Sequence, residues 1–291
     1  MSSSRVGVVT GANKGIGLAI VRQLALQYPK SSIAGGSFTI YLTARDDARG
    51  NEALARIQAD EQLKAAKALS SHGGPANIAY HALDISDANS VGALVAFLKR
   101  KHPDGIDFVI NNAAIAMQGF DDNVVKKTLG VNYFDTLEAN RAWIPLVKPG
   151  GRIVNVASSS GYLRSYSPSI KERLLAAESV ADVSKLMEEF TAAVVKGTHE
   201  KDGWPSAAYA VSKAGLIGQT RALARELKAG DTGVTINCCH PGWVQTDMTK
   251  GKGTKTPDQG AQTPVLLAIG DIGNSSGTLW SDEKEVDWAS T

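Results

Sequence analysis

Short apolar runs of strand length alternate along this chain with longer stretches of helical pattern, and that alternation leaves few folds open. Residues 6–10, 38–43, 78–83, 108–110, 153–156 and 234–238 read as buried strands. Between them, residues up to about 28 and residues 46–69, 88–101, 124–146 and 207–228 carry helix formers or helical spacing. A last helix near 257–269 precedes a short strand around 278–280. Strands alternating with helices predict an α/β protein: one doubly wound, parallel sheet of about seven strands with helices on both faces. With no repeat or low-complexity linker, the 291 residues are expected to form a single domain.

One stretch breaks the rhythm. Between residues 156 and 209 no strand occurs, and a structureless loop of that length is unusual. Val183, Leu186, Met187, Phe190 and Val194 repeat at helical spacing, and Ser179 with Asp182 forms a capping box ahead of them. Residues 162–203 are therefore expected to be a helical insertion packed on the main body.

Gly11, Gly15 and Gly17 punctuate a turn that follows the first strand and opens a helix. In that context, Gly11 permits a tight turn, while Gly15 and Gly17 let backbone N–H groups and the helix N-terminus approach a pyrophosphate. The domain is thus expected to be of the Rossmann type and to bind a dinucleotide. The spacing is G-x-x-x-G-x-G, and the competing reading is a plain strand–helix turn. The second strand ends Thr43-Ala44-Arg45. A free ribose 2′-OH is usually held there by an acid, and a 2′-phosphate by Arg. Arg45 can bond phosphate bidentately, with Lys14 and Arg49 adding charge. Asp46 follows the Arg and reads as the cap of the next helix. This favours NADP over NAD, against the alternative that Arg45 and Arg49 are solvated surface residues.

Further candidates sit where strands end, the edge at which open α/β sheets bind ligands. Asp84 closes the third strand and either bonds an adenine or caps a helix. Asn111 and Asn112 end the fourth strand and either face the ligand or cap a loop. Tyr209 and Lys213 lie one helical turn apart. A free phenol titrates near ~10, and a nearby ammonium lowers that value. Ser158 follows the fifth strand, where its hydroxyl either holds a carbonyl oxygen or, beside Ser159 and Ser160, belongs to a turn.

Charge and cysteine usage narrow the setting. The net charge is +2 with both signs mixed along the chain, which argues against a nucleic-acid partner. The only cysteines, Cys238 and Cys239, are adjacent and would point to opposite faces of a strand, so no disulfide is expected. No leader pattern, no apolar run approaching ~20 residues and no metal site are read. A cytoplasmic protein without a membrane partner is expected.

The candidates taken together resemble the short-chain dehydrogenase/reductase family. The resemblance runs through Thr-Gly-Ala-Asn-Lys-Gly-Ile-Gly at 10–17, Leu-Asp-Ile at 83–85 and Asn-Asn-Ala-Ala at 111–114. It continues through Val-Asn-Val-Ala-Ser at 154–158, Tyr-Ala-Val-Ser-Lys at 209–213 and Pro-Gly-Trp-Val-Gln-Thr-Asp at 241–247. Leu-Thr-Ala-Arg at 42–45, Pro-Gly-Trp-Val and the long insertion before the Tyr look like the NADPH-dependent carbonyl reductase branch, which includes plant alkaloid and monoterpenoid ketone reductases.

The resemblance implies roles. Tyr209 would protonate the nascent alkoxide, Ser158 would hydrogen-bond the carbonyl, and Lys213 would bind the nicotinamide ribose and lower the Tyr209 pKa. Asn132 would hold a proton-relay water. The cofactor, NADPH or NADP, would be held by Gly11, Asn13, Lys14, Gly15, Ile16, Gly17, Arg45, Arg49, Asp84, Ile85, Asn111, Ala113, Tyr209, Lys213, Pro241, Gly242, Val244 and Thr246, with Thr246 at the carboxamide. A small-molecule carbonyl would meet Ser158, Tyr209 and Trp243, in a pocket built from residues 162–167 and 243–255. The insertion would cover an oligomer surface, implying a monomer. Ala114 stands where the family usually has Gly, and His240 where animal carbonyl reductases often have Cys. Three functions are carried forward: an NADPH-dependent reductase of ketones, aldehydes or quinones; an alcohol dehydrogenase running oxidatively; and a non-catalytic NADP-binding regulator.

Overall fold

The computed structural model describes residues 4–291. Strand β1 (Arg5–Val9) feeds the glycine turn and helix α1 (Gly15–Gln27), and β2 (Phe38–Ala44) follows. The expected single helix over 46–69 is broken: α2 (Asp47–Gln58) stops at Ala59, and α3 (Glu61–Ala65) restarts on Asp60, whose carboxylate accepts from Gln62 N and Leu63 N. A local cap wins over the helix propensity of the surrounding residues. Asp46 caps α2 through Arg49 N, as expected. Then come β3 (Ala76–Ala82), α4 (Ala88–Lys101) and β4 (Ile106–Asn111).

The expected helix over 124–146 is likewise composite. It runs as α5 (Asp122–Leu129), a wider π-helical segment (Gly130–Asp135) and α6 (Thr136–Trp143). Next are β5 (Val147–Val156), α7 (Pro168–Ala176) and α8 (Val180–Lys196) in the insertion, α9 (Ala208–Ala229), β6 (Thr235–His240) and α10 (Pro257–Ile269). Two short strands, β7 (Leu279–Ser281) and β8 (Lys284–Val286), end the order.

The sheet has eight strands, ordered β3-β2-β1-β4-β5-β6-β7-β8. The first seven in that order pair in parallel and β8 pairs with β7 antiparallel. The eighth strand escapes the sequence reading because it is three residues long and carries Lys284 and Glu285, without an apolar run. The order reverses between β1 and β4, so the first half of the chain builds one wing and the second half the other, with the ligand crevice of such sheets at their seam.

The two faces carry separate cores. On one face, Ile20, Leu24, Phe38, Ile40 and Phe108 pack with Val265 and Ile269 of α10. On the other, Val6, Val8, Tyr41, Leu94, Trp143 and Leu223 pack together. A third cluster joins the insertion to the body: Val183, Leu186, Met187 and Phe190 of α8 are buried against Tyr133, Val211 and Ala214. The capping box that begins α8 is present, Ser179 Oγ accepting from Asp182 N and Asp182 accepting from Ser179 N.

Candidate active site

The glycine turn is fastened to its neighbours before any ligand enters. Ala12 N donates to Thr43 O at 2.8 Å. Thr10 Oγ1 accepts from Asn112 N and Ala113 N, and Asn112 Nδ2 donates to Thr10 O and Gly11 O. Gly11 and Gly15 adopt φ of +61° and +55°, where a side chain is strained. Gly17 is also needed for packing: a Cβ there would lie 2.5 Å from Gly11 O, so its bareness seats α1 on the turn. Lys14 is the N-cap of α1 and makes no side-chain capping bond, and no acid occupies the first turn. The first N–H groups of α1 thus stand open beside a bare cradle, which fits a pyrophosphate. Asn13, Ile16 and Ala113 flank it half-buried.

Arg45 and Arg49 are exposed just past β2 and pair with no carboxylate among the described residues. Asp84 does not cap a helix; Asp87 caps α4 instead, accepting from Asn89 N. Asp84 Oδ1 accepts from Ser86 Oγ at 2.6 Å and Ser86 N at 2.9 Å, and those bonds, with Arg45 adding attraction, hold its carboxyl below the usual range. Oδ2 takes no such bond, so an adenine contact stays open to it, with Ile85 half-buried alongside.

The side chain of Asn111 is engaged within the protein. It is buried, its Nδ2 donates to Asn140 Oδ1 and Asn155 Oδ1, and its Oδ1 accepts from Trp143 Nε1. Asn140 continues to Gln219 and Asn155 to Thr220. These bonds weld β4, β5, α6 and α9 under the site and leave no amide proton for a cofactor. Asn155 had a signal in the sequence, a polar residue inside an apolar strand; Asn140 and Gln219 had none.

Asn132 lies in the π-helical segment, where the backbone bonds are re-phased. Its Oδ1 accepts from Ile115 N, and its Nδ2 donates to Ile115 O and Ser212 Oγ. The side chain is fully engaged, clamping the loop after β4 to α9. Ala114 in the same loop does not adopt positive φ, so replacing Gly brings no backbone strain.

Ser158, Tyr209 and Lys213 converge. Ser158 begins a 3₁₀ turn (Ser159–Gly161) and its Oγ accepts from Ser160 N, with the hydroxyl close enough to the Tyr209 phenol to act on its pKa. A Cβ on Gly161 would lie 2.7 Å from the Lys213 backbone, so this turn rests directly on α9. Lys213 Nζ is buried, 5.6 Å from the Tyr209 ring centroid, and donates to Val156 O at 2.8 Å. Burial pushes the Lys213 ammonium down to about 8. Burial pushes the Tyr209 phenol up to about 12, with the Ser158 hydroxyl pulling the other way. In the free protein, desolvation of the phenolate sets the direction of the Tyr209 shift, and Lys213 is not among its causes.

The segment after β6 folds back over this edge. Gly242 has φ +92° and its N–H donates to His240 Nδ1. Pro241 and Val244 are buried, and Val244 packs against Gly260 of α10. Thr246 approaches Gly15, whose Cβ would meet Thr246 Cγ2 at 3.3 Å. Trp243 is 54 % exposed on this loop. Trp143 and Trp288 are buried packing residues. Cys238 and Cys239 are buried free thiols. No group of three or more His, Cys, Asp or Glu among the described residues is placed to hold a metal. None of the described helices is long and apolar enough to cross a membrane.

The sequence matches the short chain dehydrogenase family over residues 42–169, and a family described as enoyl-(acyl carrier protein) reductase over 176–286. It is 38 % identical over 300 residues to carbonyl reductase (NADPH) 1 of Homo sapiens, covering 99 % of each chain. It is 38 % identical over 298 residues to carbonyl reductase (NADPH) 3 of Rattus norvegicus, again covering 99 % of each. Among solved structures, salutaridine reductase from Papaver somniferum superposes with a TM-score of 0.80 at 27 % identity, covering 95 % of this chain and 99 % of that one. Menthone neomenthol reductase from Mentha piperita gives 0.74 at 26 %, covering 95 % and 98 %. With full-length relatives of this kind and the strand order, cradle and Ser–Tyr–Lys grouping described above, the chain belongs to the short-chain dehydrogenase/reductase family, on its carbonyl reductase branch.

Proposed function

We propose that this protein reduces a small-molecule ketone, aldehyde or quinone to the alcohol with NADPH. The observation that carries the reading is the meeting of Ser158, Tyr209 and Lys213 beside an open, uncapped α1 N-terminus. Bound NADPH supplies the hydride. Ser158 Oγ orients the carbonyl oxygen, and Tyr209 gives its proton to that oxygen as charge develops there. A phenol held near 12 stays protonated at neutral pH and so carries the proton that this step requires. Lys213, with Val156 O as its partner in the protein, keeps donors free for the nicotinamide ribose. The glycine cradle takes the pyrophosphate, and Arg45 and Arg49 the 2′-phosphate. Trp243 and residues 162–167 line the substrate side. We further propose one folding unit, residues 1–291 with the helical insertion 162–203, acting as a monomer in the cytoplasm without a nucleic-acid partner; the shared α8–α9 core and the two free thiols support this.

The test is cofactor absorbance with purified protein and a panel of aldehydes, ketones and quinones. NADPH consumption that NADH does not match is expected. Tyr209→Phe should lower kcat by about 10²–10⁴-fold and leave NADPH affinity unchanged. Wild-type rates in that variant would move the acid elsewhere. Binding of NADPH without consumption of any carbonyl would favour a regulator.

A further inference from the structure

Lys14 stands at the point where the glycine turn becomes helix. Its ammonium meets the Asp247 carboxylate at 2.6 Å, across 233 positions of the chain. The same loop touches the turn a second time through Thr246 and Gly15. The place of Asp247 is built by its own loop. Thr246 O accepts from Thr249 N and Gly251 N, and Thr249 Oγ1 donates to Val244 O. The loop's root is closed by Gln245 N donating to Lys255 O and by the ion pair of Lys255 with Asp282.

The neighbouring cations are not committed in this way. Arg45 and Arg49 have no carboxylate partner among the described residues, whereas Lys14 is neutralised by one. Lys14 and Arg45 also belong to one edge. The bond from Ala12 N to Thr43 O holds the turn against the end of β2, and each cation lies two residues beyond it. A doubly charged phosphate bound at Arg45 would thus compete with Asp247 for the Lys14 ammonium.

Resting on the NADPH reading above, we infer that Asp247 sets cofactor specificity. It holds Lys14 and the loop after β6 together in the free protein, and releases Lys14 to the 2′-phosphate when NADPH binds. NADPH must break this pair, and NADH, lacking the phosphate, leaves it intact. Asp247 therefore tempers the preference for NADPH.

The experiment is titration of the protein with NADPH and with NADH, read by quenching of intrinsic tryptophan fluorescence at low and high salt. Both side chains of the pair are exposed, so their substitution leaves packing undisturbed. Asp247→Asn should tighten NADPH about two- to fivefold at low salt, the range of an exposed ion pair, and leave NADH unchanged. The gain should shrink at high salt. It should vanish when Lys14→Met is present in both members of the comparison. NADPH affinity that is unchanged or weaker in Asp247→Asn overturns the inference. A gain that survives Lys14→Met also overturns it, because it assigns the effect to general repulsion between Asp247 and phosphate. If the wild-type protein binds neither cofactor, the parent reading falls and this one with it; a wild type that binds NADPH and a variant that matches it sink this inference alone.

Discussion

His240 accepts the Gly242 N–H at Nδ1 and stands edge-on to Tyr162, with ring centroids 6.1 Å apart. Burial holds its imidazole down to about 4; the Lys255 charge pushes the same way and Asp282 opposes. Between the ordinary His value near ~6.5 and about 4, the unfolded chain binds a proton that the folded one does not. This group therefore removes stability as pH falls through that window and adds none of its own above it. The expected outcome is a flat imidazole C2–H resonance for His240 in NMR titration from about pH 8 to 5. A titration step in that range would show that the ring is open to solvent. Tyr209 and Lys213 obey the same rule. Their identity and spacing were legible in the sequence, but the direction of the Tyr209 shift was not. Spacing reports the neighbouring charge, and only the fold reports how much water has been removed.

The turn carrying Ser158 is shaped by what it rests on. Gly161 lies against the Lys213 backbone, and Trp288 Nε1 donates to Gly161 O at 3.0 Å. A methyl at Gly161 must push the turn off α9, at a cost of about 1–3 kcal/mol, and carry Ser158 away from Tyr209. Gly161→Ala should therefore lower kcat by about 10²-fold with NADPH affinity retained, checked by steady-state kinetics beside a cofactor titration. Parallel loss of both would place the fault in the fold at large. Elements were legible where one signal dominated: α4 and α10 begin and end at the expected residues. They were misread where a local cap interrupted good helix formers, as at Asp60, and where a helix changed type at a single glycine, as at Gly130.

At the scale of the molecule, the insertion turns a long connection into part of the core. Gly215 of α9 lets α8 approach closely: a Cβ there would lie 2.5 Å from Met187 Sδ. With that face of α9 covered by its own chain, sedimentation should show one species near 30.6 kDa, and thermal unfolding one transition. A dimer, or separate melting of the insertion, would remove the single-unit, monomeric reading. The alternation of strands and helices was enough to foresee the sheet and the edge where the site lies. The buried amide network beneath it was not foreseeable, since it joins residues from four elements that only the closed fold brings together. The π-helical segment has a consequence for that network. Each residue added to a helix rotates the downstream turns by about 100°. Before the segment, α5 turns Val124, Val125 and Leu129 toward the insertion; after it, α6 turns Leu137 and Trp143 into the core beneath the sheet. One continuous rod thus keeps two angular phases, one set for Asn132 and one for Asn140. Deleting a single residue between them would bring the two faces into phase and set the site out of step with its foundation.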